Sequence, residues 1–455
     1  MKRKLDIEPS CQEPDLISCL NDDILGDIIT LLPTKDGART QVLSRRWRRL
    51  WRCAPLNFEA MVAGSNANVV VATILSTLQA HKGIVRRLSL TWHYNYNYFS
   101  MVDSLLESPR LNSLQEFELF FSYNVNEYQV PRSVLRWSPT LRVLNILTVG
   151  EVLKFPMETA CCFHFPHLKQ LTLNGVSISE GTIHAILSGC PVLESLVLDG
   201  NIGYRCLRIS SATLRSLGVS DAWNYKEVRL EQVIIEDAPQ LERLVPRPPK
   251  CDDLEIRIVK APKLKTLGYL SKRISTFEMG TMIFQKMVLV GHPNPTRTVK
   301  ILALNTDPNL DVVVKFLKCF PCLEKLYIMA FIQGRFKNVR HYVSLECLDL
   351  HLKMVEFINY QGSMSDVKFI KFFLLNSRVL ESMKFVARRH ECDAKWVQEQ
   401  HKKLQLNERA SQGVTFDFRA DYRSSCLVHL KHINDLTTDD PFDTSLCRCT
   451  DEDFI

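Results

Sequence analysis

The chain has 455 residues, 46% of them hydrophobic, and carries 57 Lys and Arg against 50 Asp and Glu, a formal net charge of +7. That length holds about three average domains, or one small domain and a long array of repeats, and the hydrophobic content is ample for a large core. The modest positive charge does not by itself require a nucleic acid or a membrane surface as partner, and no stretch approaches the roughly 20 apolar residues that span a membrane.

The cysteines and the N-terminus indicate the compartment. Fifteen cysteines, an odd number, are scattered along the chain, and Asn294-Pro295-Thr296 is excluded as a glycosylation acceptor by its proline. Residues 1–14 lack the apolar core of a secretory signal, and we expect them to form a disordered leader. We therefore expect reduced thiols and an intracellular protein, in the nucleus, the cytoplasm or both.

Residues 15–55 predict three short helices. Asn21 is a good N-cap for the first helix, and Pro33 ends it. Thr34 can cap a second helix, and Ser44 can cap a third that carries two tryptophans on one face and arginines around it. So small a unit buries too little surface to be stable alone, yet it is rich in Leu, Ile and Trp. It is either a helical cap on the rest of the chain or a docking module whose surplus apolar surface a partner covers.

Three segments of this unit closely resemble the plant type of F-box: residues 15–18 (DLIS), 31–36 (LLPTKD) and 42–51 (VLSRRWRRLW). The resemblance implies a helical domain that docks a Skp-type adaptor and so joins a cullin–RING ubiquitin ligase. Asn21 stands where the family usually has proline, and both residues suit the start of a helix. By this resemblance the side chains that bind the adaptor are Leu16, Leu20, Ile24, Leu25, Ile28, Leu31, Leu32, Pro33, Val42, Leu43, Trp47, Leu50 and Trp51.

From residue 85 onward the sequence is periodic. Units of the loose pattern Leu-x-x-Leu-x-Leu begin at Val85, Leu114, Leu141, Leu168, Leu193, Leu214, Leu241, Leu264, Val299, Leu323, Leu345 and Leu380. A proline stands two residues before six of these starts: Pro139, Pro166, Pro191, Pro239, Pro262 and Pro321. The spacing is typical of leucine-rich repeats, whose alternating side chains build a solenoid with a parallel sheet. We expect uneven segments on the convex side, some of them helical, such as residues 180–188, and others only loops.

After residue 351 the pattern changes to strand, helix and strand. Residues 352–362 predict a strand that closes on a glycine turn, Ser363 or Ser365 can cap a helix, and residues 379–385 predict a further strand. One stripe of the helix carries Val367, Ile370, Phe373 and Leu374. This run resembles the FBD domain that ends many plant F-box proteins. It would cap the open end of the solenoid, which otherwise exposes an apolar face and an unpaired edge.

The predicted fold is therefore α/β. It consists of a three-helix F-box in residues 15–55, an irregular leucine-rich-repeat solenoid with a parallel sheet in 56–350, and an α/β C-terminal cap in 351–421. We expect residues 422–455 to form a polar, largely disordered tail.

No motif in the chain predicts catalysis. Cys319 and Cys322 have CxxC spacing, but they fall on the turn into a repeat, where packing is the better interpretation. The arginines of residues 45–52 could meet phosphate, although the F-box resemblance already accounts for them. A poorly spaced group could in principle surround zinc: His429, His432, Cys447 and Cys449. With no Walker loop, HExxH or GxSxG sequence, we predict a non-enzyme with no cofactor and no metal; the sequence leaves open a small-molecule cofactor bound in the repeats.

These observations predict the substrate-recognition subunit of a Skp–cullin–F-box type ubiquitin ligase. The F-box would dock the adaptor, and the repeats would present a concave surface to a target protein that the sequence does not name. Two alternatives stay open. One is a non-ligase interaction scaffold whose F-box, with Asn21, no longer binds its adaptor. The other is a basic DNA-binding regulator, which the modest net charge disfavours, as it disfavours any nucleic acid partner.

Overall fold

The computed structural model describes residues 16–63, 66–93, 99–122, 129–149, 152–156, 163–222, 227–247, 253–292, 294–330, 336–338, 344–388, 392–405, 409–421 and 429–445. The predicted leader lies outside these ranges. Within them, no helix has both the length and the apolar composition needed to cross a membrane.

Three short helices open the described chain: α1 (Asp22–Leu31), α2 (Thr34–Arg39), which runs into a 3-10 turn at Thr40–Val42, and α3 (Arg45–Cys53). The predicted caps are present at both long helices, since the Ile24 amide donates to Asn21 Oδ1 at 2.9 Å and the Trp47 amide to Ser44 Oγ at 3.4 Å. Thr34 is not a cap. It is the first residue of α2, and its hydroxyl donates to the Asn57 carbonyl.

Parallel strands form the main layer of the molecule. In the described residues fourteen strands pair side by side in chain order, and every pair is parallel. They are β1 (Leu56–Ala63), β2 (Val85–His93), β3 (Glu116–Ser122), β4 (Val143–Val149), β6 (Gln170–Asn174), β8 (Ser195–Asp199), β10 (Ser216–Val219), β12 (Arg243–Pro246), β14 (Thr266–Ser271), β18 (Ile301–Asn305), β19 (Lys325–Met329), β20 (Met354–Tyr360), β21 (Ser382–Arg388) and β22 (Thr415–Asp421). This sheet confirms the predicted solenoid.

The repeat pattern locates most of these strands. Each of the six prolines precedes the first residue of a strand by four positions, as Pro166 precedes Gln170. The unit assigned to Leu345 is wrong. That residue precedes a short helix, α9 (Glu346–Leu350), and the strand of this repeat begins at Met354. The reason is that residues 352–357 repeat the same apolar spacing and residues 354–358 pair with β19, which leaves no partner strand for the segment before them.

A second layer lies on the other side of the interior core. It contains a six-stranded sheet and a two-stranded pair: β9 (Cys206–Ser210), β11 (Gln232–Asp237), β13 (Leu254–Ile258), β15 (Ile274–Met279), β16 (Met282–Gln285) and β17 (Val288–Leu289), with β5 (Leu153–Lys154) beside β7 (Val176–Ser177). The expectation that the convex segments are either helices or only loops is therefore wrong for these strands, because their side chains also alternate and the apolar ones complete the core. The expected helix at residues 180–188 is confirmed as α7 (Glu180–Ser188).

The remaining helices flank the sheet: α4 (Ala67–Ala80), α5 (Phe99–Leu106), α6 (Ser133–Arg136), a 3-10 turn at Pro109–Leu111, α8 (Leu310–Cys319), α10 (Met364–Asn376), α11 (Ala394–Leu404) and α12 (Leu430–Asn434). Helix α10 begins as expected, with Ser363 and Asp366 in a reciprocal capping box. The predicted stripe of this helix is buried, from Val367 to Leu374. Beyond it, Phe385 stacks on Phe418 at 4.4 Å between ring centroids.

The prediction that residues 422–455 are largely disordered is wrong for residues 429–445. Leu430, Ile433 and Phe442 of this segment are buried against the face of the main sheet that points away from the interior core, which we call the distal face. A few apolar side chains in a polar sequence are enough to dock a segment when the rest of the fold already presents an apolar surface. The rest of the predicted tail, residues 422–428 and 446–455, lies outside the described residues.

Candidate functional site

The three N-terminal helices expose more large apolar side chains than a solvated surface of this size needs. Val42 is 84% exposed and Leu31 79%, although both belong to a unit with a buried interior of its own. Large apolar groups exposed together are typical of a protein interface. We define the docking surface as the exposed apolar side chains of this unit: Leu16, Ile17, Ile24, Leu31, Val42 and Leu43.

One arginine connects the parts of the unit that carry this surface. From α3, Arg46 donates to Asp22 Oδ1 at 2.7 Å and to the Ser18 carbonyl at 2.8 Å, and it also reaches the Leu20 carbonyl. The hydrogen bond from Arg46 lowers the pKa of Asp22 below its ordinary value, and Arg49 acts in the same direction. Two of the arginines that could have met phosphate therefore hold the start of α1 against α3, and Arg46 also holds the turn before it.

The other predicted adaptor residues occupy different environments. Leu25, Trp47 and Trp51 are buried, and Leu20, Ile28, Leu32 and Leu50 are half-buried; Pro33 is exposed. The buried tryptophans act through packing. A Cβ at Gly37 would lie 2.5 Å from Trp51 Cζ3, so the glycine lets α2 approach α3 closely. Their role as direct adaptor contacts stays a prediction, and burial assigns them first to positioning the docking surface.

The helical unit is attached to the solenoid by specific contacts. The Trp51 ring meets the His81 ring at 5.5 Å, and His81 Nε2 lies 2.8 Å from the Ala54 carbonyl oxygen. Burial lowers the pKa of His81, so the neutral ring is favoured at this junction. The Lys82 amide also donates to the Arg52 carbonyl at 3.1 Å. Bonds on both sides of the junction hold the docking surface in a set orientation relative to the sheet.

The distal face of the sheet is the second candidate surface. Over β2 to β6 it carries a cross-strand ladder, in which Arg87 donates to Glu118 at 2.9 Å, Asn145 donates to Glu118 at 3.0 Å, and Gln170 donates to Asn145 at 3.0 Å. Burial alone would raise the pKa of Glu118, but Arg87 and the hydrogen bonds to this carboxylate outweigh it, and the pKa is lowered. A groove of about 710 Å³ lies over this ladder and extends to Asn434 of the C-terminal segment.

The cysteine and histidine groups do not form a reactive centre in the described residues. Cys319 is buried, and burial raises the pKa of its thiol to about 11, which disfavours the reactive thiolate.

Two groups have side chains that could bind a metal ion. Cys322, Glu346 and His351 bring ligand atoms within 4.8 Å of one another, but Arg297 donates to both Glu346 oxygens and so supplies the local positive charge. His429 and His432 stack at 4.7 Å, while Cys447 and Cys449 lie outside the described residues.

Comparison with known proteins agrees with this architecture. Residues 17–59 match the F-box domain model, residues 102–328 match the model "FBD-associated F-box protein At5g56370, LRR repeats", and residues 344–385 match the FBD model. The chain belongs to the plant F-box/LRR-repeat/FBD family. The predicted resemblances to the F-box, the repeats and the FBD are confirmed, whereas the domain boundaries drawn from the sequence stay a prediction.

Relatives of this F-box/LRR-repeat/FBD protein come from Arabidopsis thaliana. The FBD-associated F-box protein At5g60610 is 26% identical over 392 residues, which cover 81% of this chain and 98% of the relative. The putative F-box/LRR-repeat protein At5g02700 is 33% identical over 189 residues, which cover 41% of this chain. That match spans only 38% of the relative, so it supports membership of the family and leaves the activity of the whole protein open.

The sequence analysis missed two features of the candidate surfaces. Ile17 is 57% exposed and belongs to the docking surface, and its position between Leu16 and Ser18 of the F-box sequence was the available signal. The C-terminal segment was the second, and its signal was the apolar pair Leu430 and Ile433 at helical spacing, followed by Phe442 after a proline.

Proposed function

We propose that this chain is the substrate-recognition subunit of a Skp–cullin–F-box ubiquitin ligase. The observation that carries the proposal is the docking surface, a set of strongly exposed apolar side chains on a unit whose interior is already filled by Leu25, Trp47 and Trp51. F-box domains generally bind Skp-type adaptors, and the surface offers such a partner the apolar area it needs. The match to the F-box model over residues 17–59 supports the same partner.

The junction with the solenoid supports a receptor role. A receptor acts by proximity: it holds a target near a ubiquitin-loaded enzyme, so the target's effective concentration rises and no catalytic group of its own is needed. Such an effect requires a defined geometry between adaptor and target. The contacts of Trp51, His81 and Arg52 at the junction support such a geometry, because they hold the helical unit against the start of the solenoid.

Asn21 bears on the alternative of a scaffold with a defective F-box. Its side chain caps α1 through the Ile24 amide, so the helix that carries Ile24 and Leu31 begins as an F-box helix should. This geometry supports adaptor binding in spite of the departure from proline.

The test is co-purification of the full chain with a Skp-type adaptor. Replacing Leu31 and Val42 by Asp should abolish binding, since two buried side chains of this kind contribute about 3–6 kcal/mol together, a loss of at least about 100-fold in affinity. The matched control is Val69→Asp, which changes a residue 68% exposed on α4. It should leave binding intact.

Melting temperatures of the variants should equal that of the natural chain, because all three positions are exposed. Retained binding by the double variant would refute the docking surface. If the natural chain binds no Skp-type adaptor at all, the protein is a scaffold and not a ligase receptor.

A further inference from the structure

The chain's own C-terminal segment, residues 429–445, covers part of the distal face. Ile433 packs beside Gly218, where an added Cβ would lie 3.1 Å from the Ile433 side chain, and Phe442 lies between Tyr269 and Tyr327 at 5.0 and 5.2 Å between ring centroids. These contacts form an apolar cluster separate from the interior core of the solenoid. The core therefore does not depend on the segment for its own closure.

Polar groups of the sheet bind the backbone of this segment. Ser216 donates to the Ile433 carbonyl at 2.7 Å, and Arg243 donates to the Asp435 carbonyl at 2.7 Å and to the Thr438 carbonyl. Main-chain carbonyls are present in any peptide, so these bonds provide affinity without depending on sequence.

Selectivity comes from one carboxylate and the aromatic side chain that follows it. Asp440 accepts hydrogen bonds from Lys325 Nζ at 2.7 Å and from the Tyr327 hydroxyl at 2.8 Å. Phe442, two residues later, fills the space beside Tyr327, and its amide donates back to Asp440 Oδ1 at 3.1 Å. The site thus fits an acidic residue, a proline and an aromatic residue in succession.

Charge favours the same kind of ligand. The distal face presents Arg243, Lys325 and Lys384 along the path of the segment, and Lys384 Nζ lies 3.8 Å from Asp443 Oδ1. The segment carries four acidic residues of complementary charge: Asp435, Asp439, Asp440 and Asp443. An acidic partner is therefore steered to this face and held there.

The segment has the position of a tethered ligand. Residues 422–428 connect it to the end of β22, and the groove over the Arg87–Gln170 ladder continues from its first helix along the same face. Because the segment and the distal face belong to one chain, the segment competes for this face intramolecularly, without the concentration dependence of a separate partner. A segment from another protein must bind the distal face strongly enough to displace the chain's own segment, and once bound it can extend into the groove.

We propose that the distal face binds an acidic, aromatic segment of a target protein and that residues 439–443 (DDPFD) occupy this site as an intramolecular competitor in the free chain. The proposal rests on the proposed receptor function for the identification of the ligand as a target. It assigns the target class by the chemistry of Lys325, Tyr327 and Tyr269, which together take a carboxylate and a phenyl ring.

The test uses a fluorescent peptide of residues 436–445 and the full chain. Replacing Asp440 and Phe442 by Ala in the chain weakens the binding of its own C-terminal segment to the distal face. This tail-weakened chain should bind the peptide at least about tenfold more tightly than the natural chain does, because the internal competitor is lost. Adding Lys325→Ala should reverse the gain. Lys300→Ala is the matched control, since Lys300 pairs with Glu324 and not with the segment, and it should keep the gain.

Three results would overturn the proposal. The first is no peptide binding by a tail-weakened chain that still melts at the natural temperature, and the second is equal binding of a peptide with Asn and Ala in place of Asp440 and Phe442. The third is amide hydrogen exchange in residues 429–445 of the natural chain as slow as in β8 and β10, which would make the segment a permanent part of the fold. Adaptor co-purification is unaffected by any of these, so the receptor function fails or stands separately.

Discussion

The carboxyl of Glu356 should make the stability of this protein depend on pH near neutrality. Glu356 lies on the distal face in β20, in register with Tyr327 of β19 and Lys384 of β21, and is only 9% exposed. Burial raises its pKa from the ordinary value of 4.5 to about 7. Lys384 and Arg419 oppose this rise, while the nearby Asp443 and Asp440 of the C-terminal segment add to it.

The sign follows from proton binding. Between pH 4.5 and pH 7 the folded chain holds a proton on Glu356 that the unfolded chain has released, so folding is weakened as the pH rises through this window. Above pH 7 the full cost of a buried, charged carboxylate remains. The difference between the two pKa values corresponds to about 3 kcal/mol. Glu356→Gln removes the titration and should therefore stabilise the chain at pH 8, with little effect at pH 4.5.

The assay is thermal unfolding of the natural chain and the Glu356→Gln variant across this pH range. The variant should gain a few degrees in melting temperature at pH 8, and the gain should vanish toward pH 4.5. Glu381→Gln is the control, because that carboxylate is 69% exposed, and its profile should follow the natural chain. A Glu356→Gln chain that melts at a constant offset from the natural chain at every pH would refute the reasoning.

Three further outcomes follow from the packing. Gly37→Ala should lower the melting temperature, at a cost of about 1–3 kcal/mol for overpacking against a tryptophan, whereas Gly26→Ala, with open space around it, should raise it slightly. Iodoacetamide at neutral pH should modify exposed Cys53 well before buried Cys319, as peptide mass spectrometry would show. Truncation after Leu350 removes β20 to β22 and should cause aggregation in light scattering, because β19 then becomes an open edge. A truncated chain as soluble as the whole one would show that these strands are not a cap.

Local sequence determined the elements whose signals act within a few residues. A cap needs one side chain and an amide three positions away, and Asn21, Ser44 and Ser363 all form such bonds. The Leu-x-Leu alternation and the prolines before it likewise act over one turn and one strand, so they located most strands of the main sheet. The composition of the F-box segment indicated an apolar docking surface for the same reason, since a unit so short cannot bury all of its leucines.

Tertiary structure decided which apolar side chains face a partner and which face the interior. Nothing in the local pattern separates Leu31, which is exposed, from Trp51, which is buried beneath Gly37 and His81. The same holds for Leu345, whose spacing fits a strand that the next residues form instead. In each case the outcome depends on a neighbouring element and not on the segment itself.

The C-terminal segment is the clearest instance of this limit. Its composition is polar, and on its own it buries too little to be ordered. It docks because the strands of the repeats have already built an apolar and cationic face, and the hydrogen bond from Ser195 to Asn434 joins residues 239 positions apart. Burial depends on surfaces assembled from distant parts of a chain, so a segment's sequence indicates its preferences while the fold determines what it contacts.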